Sequence, residues 1–474
     1  MKSKIKIFNE ILKLKKYNDN LKAISALHII KIHPVYFGKK YKIGFFIEKF
    51  YKLFILRSFG YFLYLINSIL KKKNKIFLKK RILIISHLVN NKQVDSKRDF
   101  YYGGLEKILK KKNITYLKVF INHTNLDSNN LNLKIKNKNY FVLDRYLKPS
   151  LELKIILKKT KTSIDLILLL AKNKITFEVF KDLFISLFDS QTTFALRMHY
   201  QIKRYVKQAK PKYCLLTFEG YSWERLCIQA VKKVDNQIKC VGYQHTILSN
   251  NHHAIFRSLP NCFMPNVIWS SNISSFNLLK KKSNKKTKIE FIGNLSSINI
   301  KKKKTLNKKF FLVIPEGIFS ESVDLFKFSL NCANKCKDFN FIWRVHPVIN
   351  FDNVIKSLKL NASKLPQNII ISKNSLDEDI SKCSFVIYKG SAAVIKSVLN
   401  GCFPIYFESR NEKNFDPLKE FFKKENYVRN VEDFIFLTNK VNKNLFKIFR
   451  KKIIKIKKNY FLKPKVSKII STIS

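Results

Sequence analysis

The stretch RILIISHLVNNKQVDSKRDFYYGGLEKILKKKNITYLKVFI (residues 81–121) decides the fold class. Its first run, RILIISHLV (residues 81–89), is short, apolar and rich in isoleucine, which is typical of a strand buried in a parallel sheet. The helical segment GGLEKILKKK and a second apolar run, TYLKVFI (residues 115–121), follow. The order strand, helix, strand predicts a parallel sheet with crossover helices.

The same alternation continues along the chain and then begins a second time. Further strands of the first series are predicted at YCLLTF (residues 213–218) and IKCVGYQ (residues 238–244). The second series contains the runs FFLVIP (310–315), FNFIWRVHP (339–347), NIIIS (368–372), SFVIY (384–388) and FPIYF (403–407). Two such series predict an α/β chain with two Rossmann-like, doubly wound lobes.

The chain has 474 residues, which is more than one hydrophobic core usually serves. Residues 1–78 look helical and end in a lysine-rich linker, so they are predicted to form an N-terminal helical extension. The first lobe is predicted over residues 79–265. The second lobe, with C-terminal helices, is predicted over residues 266–474.

The composition is strongly basic, with 93 Lys and Arg against 32 Asp and Glu and a net charge of +61. Such a charge can indicate a nucleic-acid partner. However, Lys, Ile and Asn dominate almost everywhere, including strand and turn positions, which favours codon bias with solvated loops. We therefore expect no nucleic-acid partner, and keep a nucleic-acid-binding protein as an alternative that a salt-dependent binding isotherm would reveal.

Cysteine usage and the N-terminal sequence indicate a cytoplasmic protein. The eight Cys residues are scattered without C-x-x-C pairs, so a zinc site is not expected and free thiols fit a reducing compartment. The first residues lack the apolar core of a signal peptide. The most membrane-like segment is residues 45–70, but its uncharged part, residues 58–70, is too short to span a bilayer. An amphipathic or buried helix is predicted there, and a peripheral contact with the inner membrane is the alternative.

Ligands of open parallel sheets bind beyond the carboxyl ends of the strands, so candidate site residues are sought there. Glu219 follows an apolar strand directly, and Gly220 permits a tight turn into the next helix. Glu219 is either a partly desolvated base or a cap of that helix. His245 follows the next strand and is either a functional group or a polar loop residue.

Candidate donor-binding residues follow the strands of the second series. Arg344 and His346 are two apart on a strand and share a face, where both could donate hydrogen bonds to phosphate oxygens. Gly390 and Ser391 precede a helix and form either an anion site or an ordinary cap.

Two further segments of the second series complete the prediction. Glu316 and Gly317 follow its first strand, where Gly317 could admit a diphosphate or nucleoside and Glu316 could bond ribose hydroxyls. The run Asp377-Glu378-Asp379 superficially offers a D-x-D metal motif. We interpret it as a solvated helix cap and expect no metal.

The order E-G, Q-H-T, P-E-G, R-x-H-P and K-G-S-A, over about residues 210–410, resembles GT-B glycosyltransferases of bacterial surface polysaccharide biosynthesis. It is similar to capsule polysaccharide and surface carbohydrate biosynthesis proteins, to bacterial sialyl- and polysialyltransferases, and to Kdo transferases. The resemblance implies a GT-B-like fold, a nucleotide-sugar donor bound by the second lobe, and a glycan or lipid-linked glycan acceptor on the first. It implies no separate cofactor.

The resemblance also implies roles for single residues. Glu219 matches the acidic residue that acts as general base, His346 the histidine that contacts the donor phosphate, and Ser391 a serine that also holds phosphate. In the sialyl- and Kdo transferases the donor is a CMP-linked nonulosonic acid. This chain has one acidic residue before Gly220 and a single serine at Ser391, where those families have pairs, so the donor stays open.

Other functions remain as alternatives. Gln244-His245 resembles the glycerophosphotransferases of teichoic acid assembly, in which a histidine is the base, so a CDP-glycerol-type glycerophosphotransferase is one of them. A non-catalytic assembly or export partner that kept the fold is another.

Overall fold

The computed structural model describes residues 2–14, 19–29, 79–89, 93, 99–124, 126–249, 252–283, 286–295, 309–346, 349–360, 365–409, 416–422, 424–441 and 443–473. The chain divides into two compact units. The first unit consists of Met1–Ser297 and Lys463–Ser474, and the second of Ile298–Leu462.

The first unit is built on a seven-stranded parallel sheet. Its interior strand Ile82–Leu88 is buried on both faces, as the isoleucine-rich run requires. The strands are β1 (Ile82–Leu88), β2 (Tyr116–Asn122), β3 (Tyr140–Val142), β4 (Tyr213–Thr217), β5 (Lys239–Gln244), β6 (Val267–Ser270) and β7 (Lys288–Phe291). Their order in the sheet is β3-β2-β1-β4-β5-β6-β7.

Helices cover both faces of this sheet and bury its apolar side chains in two clusters. Several begin at a side chain that caps the first turn, such as Asp189, which accepts a hydrogen bond from the Thr192 amide. The helices are α1 (Lys2–Lys13), α2 (Leu105–Lys111), α3 (Ser128–Lys134), α4 (Pro149–Ala171), α5 (Phe177–Leu187), α6 (Ser190–Ala209), α7 (Ser222–Val234) and α8 (Ile273–Lys282).

The second unit repeats the same topology with six parallel strands. The strands are β8 (Phe310–Pro315), β9 (Asn340–Trp343), β10 (Ile369–Ile371), β11 (Phe385–Lys389), β12 (Phe403–Phe407) and β13 (Tyr427–Val428). Their order in the sheet is β10-β9-β8-β11-β12-β13. The helices are α9 (Phe319–Lys335), α10 (Phe351–Ser357), α11 (Leu376–Lys382), α12 (Ala393–Leu399), α13 (Lys419–Phe422), α14 (Val431–Lys440) and α15 (Lys443–Tyr460), while α16 (Val466–Ile473) belongs to the first unit.

Both sheets reverse their strand order next to their first strand, between β1 and β4 in the first unit and between β8 and β11 in the second. Such a switch point opens a crevice at the carboxyl ends of the strands, where ligands of doubly wound sheets bind. The predicted fold class, α/β with two Rossmann-like parallel sheets, is confirmed.

The boundary between the lobes differs from the predicted one at residue 266. Strands β6 and β7 pair with β5 and so complete the first sheet, which moves the boundary to residues 297/298. The C-terminal segment also returns to the first unit, because Lys465 N–H donates to the Ile292 carbonyl and Thr472 to Glu290. The prediction that residues 266–474 form one lobe is therefore wrong at both ends.

The described part of the N-terminal extension packs onto the first unit rather than standing apart. Phe8, Ile11 and Leu12 are buried in its core, and the Ser25 amide donates to the Thr192 hydroxyl at 2.9 Å. The membrane-like segment at residues 45–70 lies outside the described residues. Among the helices that the structure describes, none combines the length and apolar character needed to cross a bilayer.

Candidate functional site

The first predicted site residue, Glu219, lies just beyond β4 at the switch point of the first sheet. Gly220 follows it with φ +91°, a left-handed conformation that favours glycine. A Cβ atom at Gly220 would lie 2.5 Å from the carbonyl carbon of Ala254, so the turn also depends on close backbone packing.

The capping role that we considered for Glu219 belongs to another residue. The Glu224 carboxylate accepts hydrogen bonds from the amides of Glu219, Gly220 and Tyr221 at 2.7–2.9 Å. These contacts satisfy the amides of the turn that leads into α7. The interpretation of Glu219 as a helix cap is therefore wrong, and its carboxyl group accepts hydrogen bonds from Thr246 instead.

The Glu219 carboxyl group faces the residues that follow β5. The Thr246 hydroxyl donates to Glu219 Oε2 at 2.7 Å, and the Thr246 amide donates to Oε1 at 3.3 Å. His245 Nδ1 lies 3.6 Å from Oε1. Burial raises the pKa of Glu219 to about 7 against the opposing effect of these hydrogen bonds, so the carboxyl group is poised between its two protonation states near neutral pH.

His245 lies close to Glu219, because the strands that precede them, β4 and β5, are neighbours in the parallel sheet. Burial lowers the pKa of His245 to about 4, so its imidazole is neutral at pH 7. The ring of Tyr101 meets it edge-on, with ring centroids 4.7 Å apart. This arrangement provides an ionisable acid and a neutral imidazole in contact at one switch point.

Two histidines that the sequence analysis missed extend the site across β1 and β2. His87, near the end of β1, shares hydrogen bonds with His123 at 2.8 Å and with the Thr217 hydroxyl at 3.0 Å. Its ring meets Trp223 edge-on. Burial, followed by the neighbouring His123, lowers the pKa of His87 to about 3. Their positions at strand ends were the available signal, but the sheet order was needed to place them beside Glu219.

Tyr101 is held in place by a buried charge pair beneath it. The Asp99 carboxylate accepts from the amides of Tyr101 and Tyr102 at 2.7 and 2.8 Å, and lies 2.6 Å from Lys118 Nζ. Burial alone would raise the pKa of Asp99, but the Lys118 ammonium outweighs it and the pKa is lowered. Asp99 is thus an ionised anchor for the loop that carries Tyr101 towards His245.

In the second unit, Glu316 and Gly390 lie together at the switch point between β8 and β11. Gly390 has φ +72°, and a Cβ atom there would lie 2.2 Å from Glu316 Oε2. The glycine therefore allows the Glu316 side chain to pack over the backbone that follows β11. Gly317 follows Glu316 at a bend in the chain, and its proposed contact with the donor stays a prediction.

Arg344, just after β9, is drawn into an ion pair. Its Nη1 donates to Asp379 Oδ2 at 2.8 Å and to the Asn374 carbonyl at 2.7 Å. Asp379 is fully buried and also accepts from the Ser372 hydroxyl. The solvated-cap interpretation of residues 377–379 is therefore wrong for Asp379, whereas Glu378 does accept from the Ser375 amide at the start of α11.

His346 and Ser391 lie beyond β9 and β11 respectively. His346 is half-buried, and burial lowers its pKa. Ser391 is buried and its carbonyl accepts from the Val394 amide, while Ala392 is the N-cap of α12 and makes no side-chain capping bond. The ordinary serine cap that we considered is therefore wrong. Pro347 lies outside the described residues.

A buried cation that we did not single out precedes Gly390. Lys389 ends β11, and its Nζ lies 3.8 Å from Asp324 Oδ2 and 5.8 Å from the ring centre of Phe407. Its position immediately before Gly390 in the K-G-S-A run was the signal that could have identified it. Within the ranges that the structure describes, no three His, Cys, Asp or Glu side chains are grouped to hold a metal ion.

No protein-family model matches the sequence. No curated protein matches it either. Solved structures similar to this chain include UDP-GlcNAc 2-epimerase from Neisseria meningitidis bound to UDP-GlcNAc, at 12% identity and TM-score 0.49, covering 83% of this chain and 98% of that one. A UDP-forming α,α-trehalose-phosphate synthase from Burkholderia vietnamiensis is similar at 8% identity and TM-score 0.49, covering 83% of this chain and 99% of that one. MurG from Acinetobacter baumannii is similar at 10% identity and TM-score 0.44, with the same two coverages. At identities this low, these likenesses assign neither substrate nor reaction to this chain.

Proposed function

We propose that this chain is a glycosyltransferase of the GT-B type, which moves a sugar from a nucleotide-activated donor to a hydroxyl group of a bacterial surface polysaccharide or lipopolysaccharide. The observation that carries the proposal is the state of Glu219. It is a buried carboxyl group at a switch point, free of the capping role, with its pKa raised to about 7. A group with this pKa is matched to proton removal at neutral pH.

Glu219 acts on the acceptor in this proposal. Its ionised form takes the proton of the acceptor hydroxyl, and that oxygen forms a bond to the anomeric carbon of the donor sugar. The bond between this carbon and the donor phosphate oxygen breaks, and the nucleotide leaves with the electron pair. The Thr246 hydroxyl stabilises the ionised carboxylate, and His245 lies against its other oxygen.

The second unit binds the donor in this proposal. Among the described residues, Arg344 uses Nη1 for Asp379 and Asn374, which fixes the guanidinium while leaving Nε and Nη2 to face a phosphate. His346 and Ser391 supply further hydrogen bonds. Glu316 accepts hydrogen bonds from the ribose hydroxyls of the donor, and Gly317 leaves room for its diphosphate. Gly390 lets the donor phosphate approach the backbone closely. Preorganised donors of this kind stabilise charge on a departing phosphate.

A CDP-glycerol-type glycerophosphotransferase is the second candidate, and His245 favours it. Burial lowers the pKa of His245 to about 4, so its imidazole is neutral at pH 7, and its Nδ1 lies 3.6 Å from Glu219 Oε1. His245 would then take the proton of an alcohol that attacks phosphorus, and CMP would leave.

We infer that the enzyme works in the cytoplasm, peripherally at the cytoplasmic face of the inner membrane. The net charge of +61 supports this, since a basic surface is attracted to an anionic leaflet. A lipid-linked glycan would be presented to the first unit at that surface.

Two measurements test the proposal and separate its candidates. In a thermal-shift panel of CMP, CDP, UDP, GDP and TDP, one nucleotide should raise Tm in a saturable way, since a ligand of the native state stabilises it. With that donor, the pH profile of kcat/KM should rise through about pH 7 if Glu219 is the base. It should stay level from pH 5.5 to 8 if His245 is the base. If no nucleotide raised Tm, and the protein bound nucleic acid tightly with a steep salt dependence, both candidate functions would be contradicted.

A further inference from the structure

Helix α4 of the first unit is apolar on the side that faces away from the protein. Six large aliphatic side chains of this helix are each 43–60% exposed, and we call them the α4 stripe: Leu153, Ile156, Leu157, Ile164, Ile167 and Leu168. Their spacing of three, four and seven residues places them on one face of the helix. Surface helices normally carry polar side chains on this face, and a large exposed apolar patch is typical of an interaction surface.

The opposite face of α4 is fixed to the protein. Ile155 and Leu166 are buried in the core of the first unit. At the start of the helix, the buried Glu152 accepts a hydrogen bond from Arg197 Nε of α6 at 2.7 Å. These contacts hold the helix in one rotation about its axis, so the α4 stripe is a fixed outer surface of the first unit.

A row of lysines lies along one edge of the α4 stripe. Lys154 and Lys161, within the helix, and Lys172, at its end, are all exposed. Their spacing of seven and eleven residues places them on one side of the helix, next to the α4 stripe. Residues 153–176 contain six lysines and one acidic residue, Asp165. The helix thus combines an exposed apolar face with a positively charged edge.

We propose that the α4 stripe docks onto an anionic lipid surface, with helix α4 lying in the plane of the interface. Helices that bind membranes in this way bury aliphatic side chains at the boundary of the acyl chains and direct lysines to the anionic headgroups. The apolar face extends from Leu153 to Leu168, about 22 Å along the helix axis. The lysine row runs beside it over the same length, so both groups meet the lipid together.

Charge favours lipid over the other occupants of an apolar surface. A second copy of the chain would bring another row of lysines and another net charge of +61 against the first. A nucleic acid would neutralise the lysines, but its phosphates and sugars would give the aliphatic side chains no apolar partner. An anionic leaflet supplies both the opposite charge and an apolar interior.

This inference deepens the proposed function, because it rests on the membrane contact proposed there and names the surface that makes it. Helix α6, which holds α4 through Arg197, also contacts α7, since His199 Nδ1 lies 3.2 Å from the Leu226 carbonyl oxygen. Helix α7 begins at Ser222, directly after the turn that carries Glu219. Docking through α4 would therefore fix the orientation of the proposed acceptor-binding unit relative to the lipid.

The first test measures binding of the full chain to phosphatidylcholine vesicles that contain about 30% phosphatidylglycerol, at about 0.15 M salt. The triple variant Leu157→Gln, Ile164→Gln and Leu168→Gln removes half of the α4 stripe and introduces a residue of good helix propensity. It should bind at least about 30-fold more weakly than the wild type. Leu133→Gln, at an 85% exposed leucine of α3, is the control and should bind as the wild type does.

Two further measurements locate the contact on α4. Compared with the wild type, Ile164→Trp should add fluorescence that shifts to shorter wavelength on vesicle binding and is quenched by brominated lipid. Leu133→Trp should show neither change. Replacing Lys154 and Lys161 together by Gln should weaken binding to the anionic vesicles about tenfold.

Thermal unfolding and sedimentation separate lipid docking from other uses of the α4 stripe. If lipid is the occupant, the triple variant should unfold within about 2 °C of the wild type and have the same mass in solution. A lower Tm beyond that range would mean that the α4 stripe packs against another part of this chain. A mass that halves would mean that it joins two copies. Either result overturns the proposal, as does vesicle binding that the triple substitution leaves unchanged.

The nucleotide panel distinguishes this inference from the proposed function. If the wild type does not bind anionic vesicles but a nucleotide still raises Tm, the lipid-docking surface is overturned and the glycosyltransferase proposal stands. If vesicle binding depends on the α4 stripe and no nucleotide raises Tm, the lipid-docking surface stands and the proposed function fails.

Discussion

The two switch points share a strand order but differ in their electrostatics. Around β1 and β4, burial lowers the pKa values of His87 and His245, so both rings are neutral at pH 7, and raises that of Glu219 to about 7. Around β8 and β11, Lys389 pairs with Asp324, and Arg344, just after neighbouring β9, pairs with Asp379 of α11. The same topology thus surrounds one switch point with buried groups whose pKa values are shifted, and the other with cations held in ion pairs.

Replacement of Glu219 should have the largest effect and would sharpen this contrast. Glu219→Gln keeps the size and an acceptor for Thr246 but removes the proton acceptor, so kcat should fall by about 10²–10⁴-fold. Nucleotide affinity, measured by calorimetry, should stay within twofold. Glu178→Gln, an exposed glutamate of the same unit, is the matched control and should retain activity. Full activity in Glu219→Gln would remove the carboxylate from the mechanism.

The same substitution should stabilise the protein above neutral pH. The carboxyl group has a folded pKa of about 7 against an ordinary 4.5, so its stabilising effect is complete below pH 4.5 and lost as the pH rises through 7. At pH 8 Glu219→Gln should gain on the order of 3 kcal/mol in the free energy of unfolding over the wild type. At pH 4.5 the gain should vanish. Urea unfolding at both pH values measures this, and a gain of equal size at both would contradict the burial argument.

A substitution in the second unit should affect the donor alone. His346→Ala should weaken nucleotide binding about tenfold, the effect of one hydrogen bond to a charged group. It should not change the pH at which kcat/KM begins to fall. Lys356→Ala, at an exposed position of the same unit, should bind nucleotide normally. Unchanged affinity in His346→Ala would separate this histidine from the donor.

The smallest expected effect concerns the hydroxyl that donates to Glu219. Thr246→Val removes the hydrogen bond to Oε2, which stabilises the ionised form, and should move the acidic limb of the kcat/KM profile up by about 0.5–1 pH unit. Thr246→Ser restores the hydroxyl and should restore the limb. A limb that stays in place in Thr246→Val would mean that another group titrates.

The sequence predicted the fold and most strand ends because buried parallel strands are continuous apolar runs, as at β1 and β8. It also placed Glu219 and His245 at the ends of two successive strands, β4 and β5, which the structure shows to be adjacent in the sheet. It missed His87 and His123, because their proximity depends on β1 lying between β2 and β4. The boundary at residue 266 was wrong, because β6 and β7 are short and their pairing partner is not encoded locally.

The sequence also could not predict contacts between side chains that are distant in the chain. Asp379 looked like a solvated cap from its polar neighbours, and its burial follows from the ion pair with Arg344, 35 residues away in the chain. The capping role of Glu224, which frees Glu219, depends on the geometry of the Gly220 turn. The sequence showed that these residues lie near strand ends, but it could not predict which of them cap a helix, which form an ion pair and which do neither.

The most direct measurement is the titration of Glu219 itself, followed by ¹³C NMR of labelled glutamate carboxyl groups, with Glu219→Gln to assign the signal. A carboxyl group that titrates with a pKa near 7 in the free protein is the predicted result. A value near 4.5 would show that burial does not retain its proton, and would contradict Glu219 as a base tuned to neutral pH.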